Sequence, residues 1–374
     1  MKTYDVVVLG LGVMGSAAVY SLAKRGVSVL GVDANDPHHG LGSSHGPTRA
    51  TRETYFEAQE YVPLAQRSTA LWRELEGESG STLLETNGGI YFAPSGHPML
   101  EGVQEAAAAH NLPLDCLGTN DFAEQFPGFS LPDGWQALRE NGAGVLQAPG
   151  CLDAFRDLAR RHKADLRFNN KAMGWEQNSG GIVVQLAEET VHAGKVILTL
   201  GPWMCDMIGE LGLPLSRRRI PVVYYETAKP KLYKSSDFSV YFGATPQGIF
   251  AGKPHFDHLG AMLVRHDEGQ DTSPEDTNRV VTAQDLNEAR DFANLYTPGL
   301  DGGVRSTHVC LYTMTPDSHF IIDQHPDLRD LVYATGFSGH GFKFAPVVGE
   351  VLADLALNGS TDYPTGFLSA DRFQ

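Results

Sequence analysis

The stretch "YDVVVLGLGVMGSAAVYSLAKRGVSVLGVDA" at residues 4–34 is compatible with very few folds. It reads as strand, glycine turn, helix, strand, with the buried apolar run in each strand that a parallel sheet covered on both faces requires. Gly10, Gly12 and Gly15 form GxGxxG between the first strand and the helix. The first glycine allows the tight turn, the second lets a pyrophosphate approach the backbone, and the third lets helix pack on strand. The helix N-terminus then offers free N–H groups to phosphate charge. Asp33 ends the second strand 18 residues after Gly15, close to the roughly 20-residue offset of a ribose-binding carboxylate. Together these predict a dinucleotide-binding unit and leave NAD and FAD both open.

Length and charge bound the rest. A chain of 374 residues exceeds what one core accommodates, so two domains, or one with a large insertion, are expected. The net charge of −16 opposes nucleic-acid binding, which demands a basic face. The run "RRR" at 217–219 reads as a solvated face ahead of a strand. No apolar run reaches the roughly 20 residues of a membrane span, and "MKTYDVVVLG" enters a strand at once, so a cytoplasmic protein is expected. Cys116, Cys151, Cys205 and Cys310 are far apart without a CxxC pair, which argues against a metal site or redox dithiol and for small buried hydrophobes.

Beyond the first unit, "TNGGIYFAPSG" reads as a strand and "HPMLEGVQEAAAAHNL" as a helix. A helix with apolar spacing at Leu152, Phe155 and Leu158 precedes a meander of short strands that returns to the parallel sheet. After "SRRRIPV" the pattern changes to longer alternating strands with few helices, the mark of a second, sheet-rich domain. "LVYATGFSGHGFKFAPVVGEVLADLALNG" restores strand, glycine turn and helix, so the C-terminal end completes the first domain. Arg49 and Arg52 lie three apart in "SHGPTRATRE", on one face if that segment is helical. Aimed inward they would grip a carboxylate or pyrophosphate; as a solvated helix face they would be the commoner case.

The order of "SHGPTRATR", "EYVPLA", "GPW", "CLYTMTPDSHFIID" and "GFSGHGFKFAPVVGEVLADL" resembles the flavin amine oxidases typified by monomeric sarcosine oxidase and N-methyltryptophan oxidase. The likeness covers almost the entire chain. It implies an α/β (α+β two-domain) protein, a Rossmann-like FAD-binding domain plus a substrate domain with a large mixed β-sheet. The corresponding spans are 1–85, 143–216 and 322–374 for FAD, and 86–142 and 217–321 for the substrate. The implied cofactor is FAD, covalently attached through Cys310, which stands in the family's CxYxxxPD segment. Arg52 and Lys343 are implied anchors for a substrate carboxylate, Arg49 a charge beside the flavin ring, and Gly339 and Gly341 a turn facing the flavin pyrimidine. His45 resembles a histidine of the family's HHGDTR segment, although Ser44 precedes it here, and Tyr312 and His266 are implied to shape the substrate cavity.

One departure stands out. Counting back from His266, the position of the family's oxygen-activating lysine falls on Met262, and Arg265 is aimed at the opposite face by strand alternation. Either the reduced enzyme reacts slowly with oxygen and uses another acceptor, or a different cation such as Lys253 takes over; slow reaction with oxygen is the expectation. The lining stretch "IFAGKPHFDHLGAM" also departs from the sarcosine type, which points to an N-substituent larger than methyl or a cyclic amino acid. The expected activity is oxidation of the C–N bond of a small secondary amino acid carrying a carboxylate, by a monomer with neither nucleic-acid nor membrane partners. An NAD(P)-dependent dehydrogenase and a catalytically silent flavoprotein are the rivals.

Overall fold

The computed structural model describes residues 1–373 apart from 208, 237, 257 and 301. Its first sheet is built on Lys2–Leu9, which pairs in parallel with Val29–Val32 on one side and Thr190–Leu198 on the other. Asp165–Arg167 extends the sheet beyond Val29–Val32. On the far edge of Thr190–Leu198, the first half pairs with the antiparallel strand Gly181–Leu186 and the second half with the parallel strand Leu331–Thr335. Val6 and Val8 face helices Val13–Lys24, Ala148–Arg161 and Ala345–Asn358, while Val7 and Leu9 face the opposite layer. Burial on both faces is why these strands read as unbroken apolar runs.

The second sheet has nine strands among the described residues. Ser216–Tyr225 pairs along its length with Val304–Met314 and then with Gly260–Arg265. Gly248–Phe256, Val240–Thr245, the parallel Gly89–Pro94, Trp135–Glu140 and Asp115–Leu117 follow in order. Alternation sorts its two faces. Phe250, Leu263 and Tyr225 pack under helix Ala283–Tyr296, whereas Val222, Tyr224, Phe242, Ala251, Met262, Val264 and Cys310 share the other face. A small third sheet, Thr48–Thr51, Gly144–Gln147 and Leu84–Thr86, lies with these. This is the expected α/β fold with a large mixed sheet, and no helix among the described residues is long and apolar enough to cross a membrane.

Three local expectations are corrected. Thr48–Thr51 is a strand paired with Gly144–Gln147 rather than a helix, and Arg52 just after it is only 1% exposed, so the two arginines are not a solvated helix face. Arg217, Arg218 and Arg219 lie within Ser216–Tyr225, and Arg219 is buried because Asp285 and two backbone carbonyls receive its guanidinium. Cys151 is buried as expected, but Cys116 is exposed on an edge strand and Cys205 is half-buried.

Candidate active site

The glycine turn is built for close backbone approach. Gly10 has φ +92°, and a Cβ there would sit 2.5 Å from the Thr199 carbonyl oxygen; one on Gly15 would sit 1.8 Å from that of Gly10. Only glycine fits either place. The buried Asp33 carboxylate accepts from the Leu11 and Asn35 backbone N–H groups at 2.8 and 2.9 Å, and the first turn of Val13–Lys24 carries no acidic side chain. Gly10, Gly12 and Asp33 line a cavity of about 1090 Å³ that continues to Cys310, Tyr312 and Lys343. Volume, glycine cradle and oriented carboxylate fit a dinucleotide such as FAD.

The cavity's opposite wall is the free face of the second sheet. Cys310 is 6% exposed and its Sγ lies 3.6 Å from the Ser43 carbonyl. Beside it, Arg49 donates to the Thr48 and Ser43 carbonyls at 2.8 and 2.9 Å and to that of His45. Its guanidinium carbon stands 5.2 Å from the Phe342 ring centroid. His45 Nε2 donates to the Val309 carbonyl at 2.9 Å. Met262 lies directly across the strands from Lys253, whose buried amine donates to the Thr48 carbonyl at 3.1 Å. Arg265, as alternation predicts, turns away and pairs with Asp267, Glu268 and Glu288.

At the other end, the turn after Leu331–Thr335 carries Gly339 and Gly341. Added Cβ atoms there would meet the Tyr312 ring at 2.2 Å and the Phe337 ring at 2.5 Å. Lys343 follows in the short helix Phe342–Phe344, its carbonyl held by Trp72 Nε1 at 2.8 Å. Its amine donates to Tyr55 Oη at 3.1 Å and to the His340 carbonyl at 2.7 Å. The Tyr55 hydroxyl is 2.7 Å from His340 Nδ1, and His340 Nε2 is 2.9 Å from the Ser318 carbonyl. A carbonyl can only accept, so Nε2 carries the proton and Tyr55 donates to Nδ1. His266 Nδ1 is 3.3 Å from the Tyr312 hydroxyl.

Burial controls the charges here. It pushes the imidazoles down, His266 and His45 to about 4 and His340 and His308 to about 3, so all four are neutral at pH 7. Burial, reinforced by Arg52, holds the Lys343 amine well below the ordinary lysine value, and burial with Arg49 does the same to Lys253. Burial would raise the Glu57 carboxyl, but Arg52 overrides it and holds the group at about 2.

Of the residues predicted from sequence, His45, Arg49, Met262, His266, Cys310, Tyr312, Gly339, Gly341 and Lys343 line the same cavity as Gly10, Gly12 and Asp33. Gly15 packs behind the turn. Arg52 stands behind the wall instead, its guanidinium carbon 3.8 Å from the Tyr55 ring centroid and 5.0 Å from that of Phe242, with its charge engaged by Glu57. Sequence reasoning passed over Glu57, Tyr55, His340 and His308. Glu57 and Tyr55 follow Arg52 within five residues and His340 sits inside "GHGFKF", but nothing in those spacings distinguishes a buried partner from a surface residue.

Comparison with known proteins agrees with this architecture. The model of the family described as "FAD dependent oxidoreductase" matches residues 5–355. Monomeric sarcosine oxidase of Bacillus sp. (strain B-0618) is 38% identical over 374 residues, covering 99% of this chain and 96% of that protein. N-methyl-L-tryptophan oxidase of Yersinia pestis (strain Pestoides F) is 30% identical, covering 99% and 100%. Among solved structures, NikD, an amino acid oxidase essential for nikkomycin biosynthesis, superposes with a TM-score of 0.87 at 25% identity, covering 99% of this chain and 98% of that one. The chain therefore belongs to the FAD dependent oxidoreductases, in the group of the monomeric sarcosine and N-methyl-L-tryptophan oxidases.

Proposed function

We propose that this FAD-dependent amine oxidoreductase oxidises the C–N bond of a small secondary amino acid, N-alkyl or cyclic, to an imine that water hydrolyses to a carbonyl compound and the dealkylated amine. The observation that carries this reading is the joining of the glycine cradle, Cys310 and a buried lysine in one cavity. FAD, when bound, supplies the acceptor for the hydride equivalent leaving the carbon beside nitrogen. Gly10, Gly12 and Asp33 would hold its nucleotide end, Cys310 would hold it through a thioether, and the Gly339–Gly341 turn would face its ring. In this reading residues 1–85, 143–216 and 322–374 form the cofactor-binding unit, and 86–142 and 217–321 the substrate unit.

Lys343 receives the substrate carboxylate. Burial holds the pKa of its amine down, and the arriving anion raises it, because the opposite charge offsets that burial. Arg52 adds positive field from behind the wall while Glu57 holds it. The neutral His266 and Tyr312 bound the cavity and exclude water from the reacting carbon. Only the neutral amine can react, so kcat/KM rises with pH; a flat profile from pH 6 to pH 10 contradicts this. The acceptor reading rests on Lys253, which stands opposite Met262; burial holds the pKa of its amine low, and negative charge developing on a terminal acceptor such as oxygen would raise that value and be stabilised by the protonated amine.

The test mixes the purified enzyme anaerobically with N-methyl and cyclic amino acids and follows flavin absorbance. Bleaching supports the reading and removes the silent-flavoprotein rival; absence of bleaching with every secondary amino acid refutes it. Acid precipitation reads the attachment. Colour in the pellet, released into the supernatant by Cys310→Ser, supports the thioether, and colour already released from the parent excludes it.

A further inference from the structure

The cavity face of the large sheet has relief that carboxylate binding does not use. Strand register aligns Phe242, Ala251, Val264, Val222 and His308 in a single row across five strands, and all five line the cavity. Between the rings at its two ends the row carries only a methyl and two isopropyl groups. Neighbouring strands lie about 4.8 Å apart, so the low floor from Ala251 to Val222 is about 10 Å long.

The flanking residues stand taller. Met262 is aligned with Lys253 and Tyr224 in the row on one side, and His266 follows Val264 by two residues on the other, which keeps it on the same face. Its ring lies 6.0 Å from that of Phe242 and 5.7 Å from that of Tyr312. The recess over Ala251 and Val264 thus adjoins the His266–Tyr312 pair, and Phe242 connects it to the Arg52 end at 5.0 Å. Its floor offers neither a donor nor an acceptor.

We infer that this recess, walled by Phe242, Met262 and His266, receives an apolar N-substituent larger than methyl, so that the preferred substrates are amino acids bearing an N-alkyl chain of about four carbons. The assignment rests on the amine-oxidation reading above. A methyl covers about 4 Å of the floor, whereas a butyl chain covers most of what Ala251 and Val264 leave open. In this reading the substrate's carboxylate is at Lys343 and its nitrogen near His266, which sets its N-substituent toward Ala251 and Val264. The small side chain of Ala251 makes the recess, and a longer one would fill it.

The experiment compares kcat/KM for N-methylglycine and N-butylglycine in the holoenzyme and in two variants, with anaerobic flavin bleaching as a second readout. A methylene in an apolar pocket is worth about 10-fold or more, so the parent is expected to favour N-butylglycine by at least about 10-fold. Ala251→Leu is expected to cut the butyl substrate by about 10-fold or more and the methyl substrate by less than about 3-fold. Val264→Ala, which only removes atoms, takes contacts from the butyl chain and few from the methyl, so it lowers the butyl-to-methyl ratio and carries the test if the larger residue prevents folding. A parent that handles N-methylglycine equally well, or variants that change both substrates by one factor, overturns the recess while leaving amine oxidation intact. Bleaching by neither amine overturns amine oxidation and the recess together.

Discussion

Arg52→Met probes the buried charges behind the site. Arg52 donates to the Thr54 carbonyl at 3.0 Å and to both oxygens of Glu57, 2.7 Å to Oε2, and is 1% exposed. Glu57 is opposed by burial yet held at about 2 by Arg52, against an ordinary 4.5. That gap corresponds to about 3 kcal/mol. The group's folded value is depressed, so this stability is fully present above pH 4.5 and is lost as pH falls through about 2. Without the guanidinium, burial dominates and the Glu57 value rises above 4.5. The sign then reverses, and stability is lost as pH rises through the new value. Breaking a buried pair costs about 3–5 kcal/mol, which we expect for Arg52→Met in urea unfolding at pH 7 followed by tryptophan fluorescence. Arg52→Met combined with Glu57→Gln should recover most of that loss, because no buried charge is left unpaired. A single variant within 1 kcal/mol of the parent, or a double variant no better than the single, refutes the reasoning.

Other consequences are equally direct. Lys343→Met should raise KM for amino acid substrates by about 10- to 150-fold, the worth of a hydrogen bond to a charged group, and leave an amine without a carboxylate unaffected; an equal effect on both contradicts the anchor. Lys253→Met should slow flavin reoxidation in air by about 10-fold or more with anaerobic bleaching unchanged, and unaltered reoxidation would remove Lys253 from the acceptor step. Asp285→Ala should lower stability by about 3–5 kcal/mol, since Asp285 takes two bonds from the buried Arg219 and closes the capping box of Ala283–Tyr296. Its carboxyl is opposed by burial and lowered by Arg219. The parent therefore loses this stability as pH falls through that lowered value, and the variant, already without it, should show a flatter acid limb in a denaturation series.

The elements visible in the sequence were those whose pattern answers to local rules. Val6 to Leu9, the glycine turn and Asp33 repeat a backbone requirement that any sequence must meet, and the alternating strands from 216 to 314 expose their period of two directly. The helix Ala283–Tyr296 was hidden although Thr282 and Asp285 form its capping box, because the surrounding strands set the expectation. The solvated-face readings of Arg52 and Arg219 fail for a different reason. A guanidinium looks the same in a sequence whether water or carbonyls receive it, and only the pairing of Thr48–Thr51 with Gly144–Gln147 or the arrival of Asp285 from 66 residues away decides. The resemblance placed Cys310 and Lys343, and it flagged Met262; that Lys253 stands across from Met262 depends on strand register, which spacing alone does not give.

The same logic of receipt explains why the pKa values of the two buried lysines of the lining are held low. Lys343 and Lys253 donate to a hydroxyl and to carbonyl oxygens, uncharged acceptors that do not offset the burial of a cation. Burial therefore holds both amines well below their ordinary value, with Arg52 and Arg49 adding to it. An anion that enters beside Lys343 restores the favourable partner and raises that value, so carboxylate binding is coupled to proton uptake wherever the amine is not already charged. Calorimetric titration with butanoate, which has no amine to oxidise, measures this uptake as the dependence of binding heat on the ionisation enthalpy of the buffer. We expect net proton uptake on binding, abolished by Lys343→Met and retained in Lys253→Met. Binding heats identical in every buffer would mean that Lys343 is already charged before the ligand arrives, and the coupling of its charge to the substrate anion would fail.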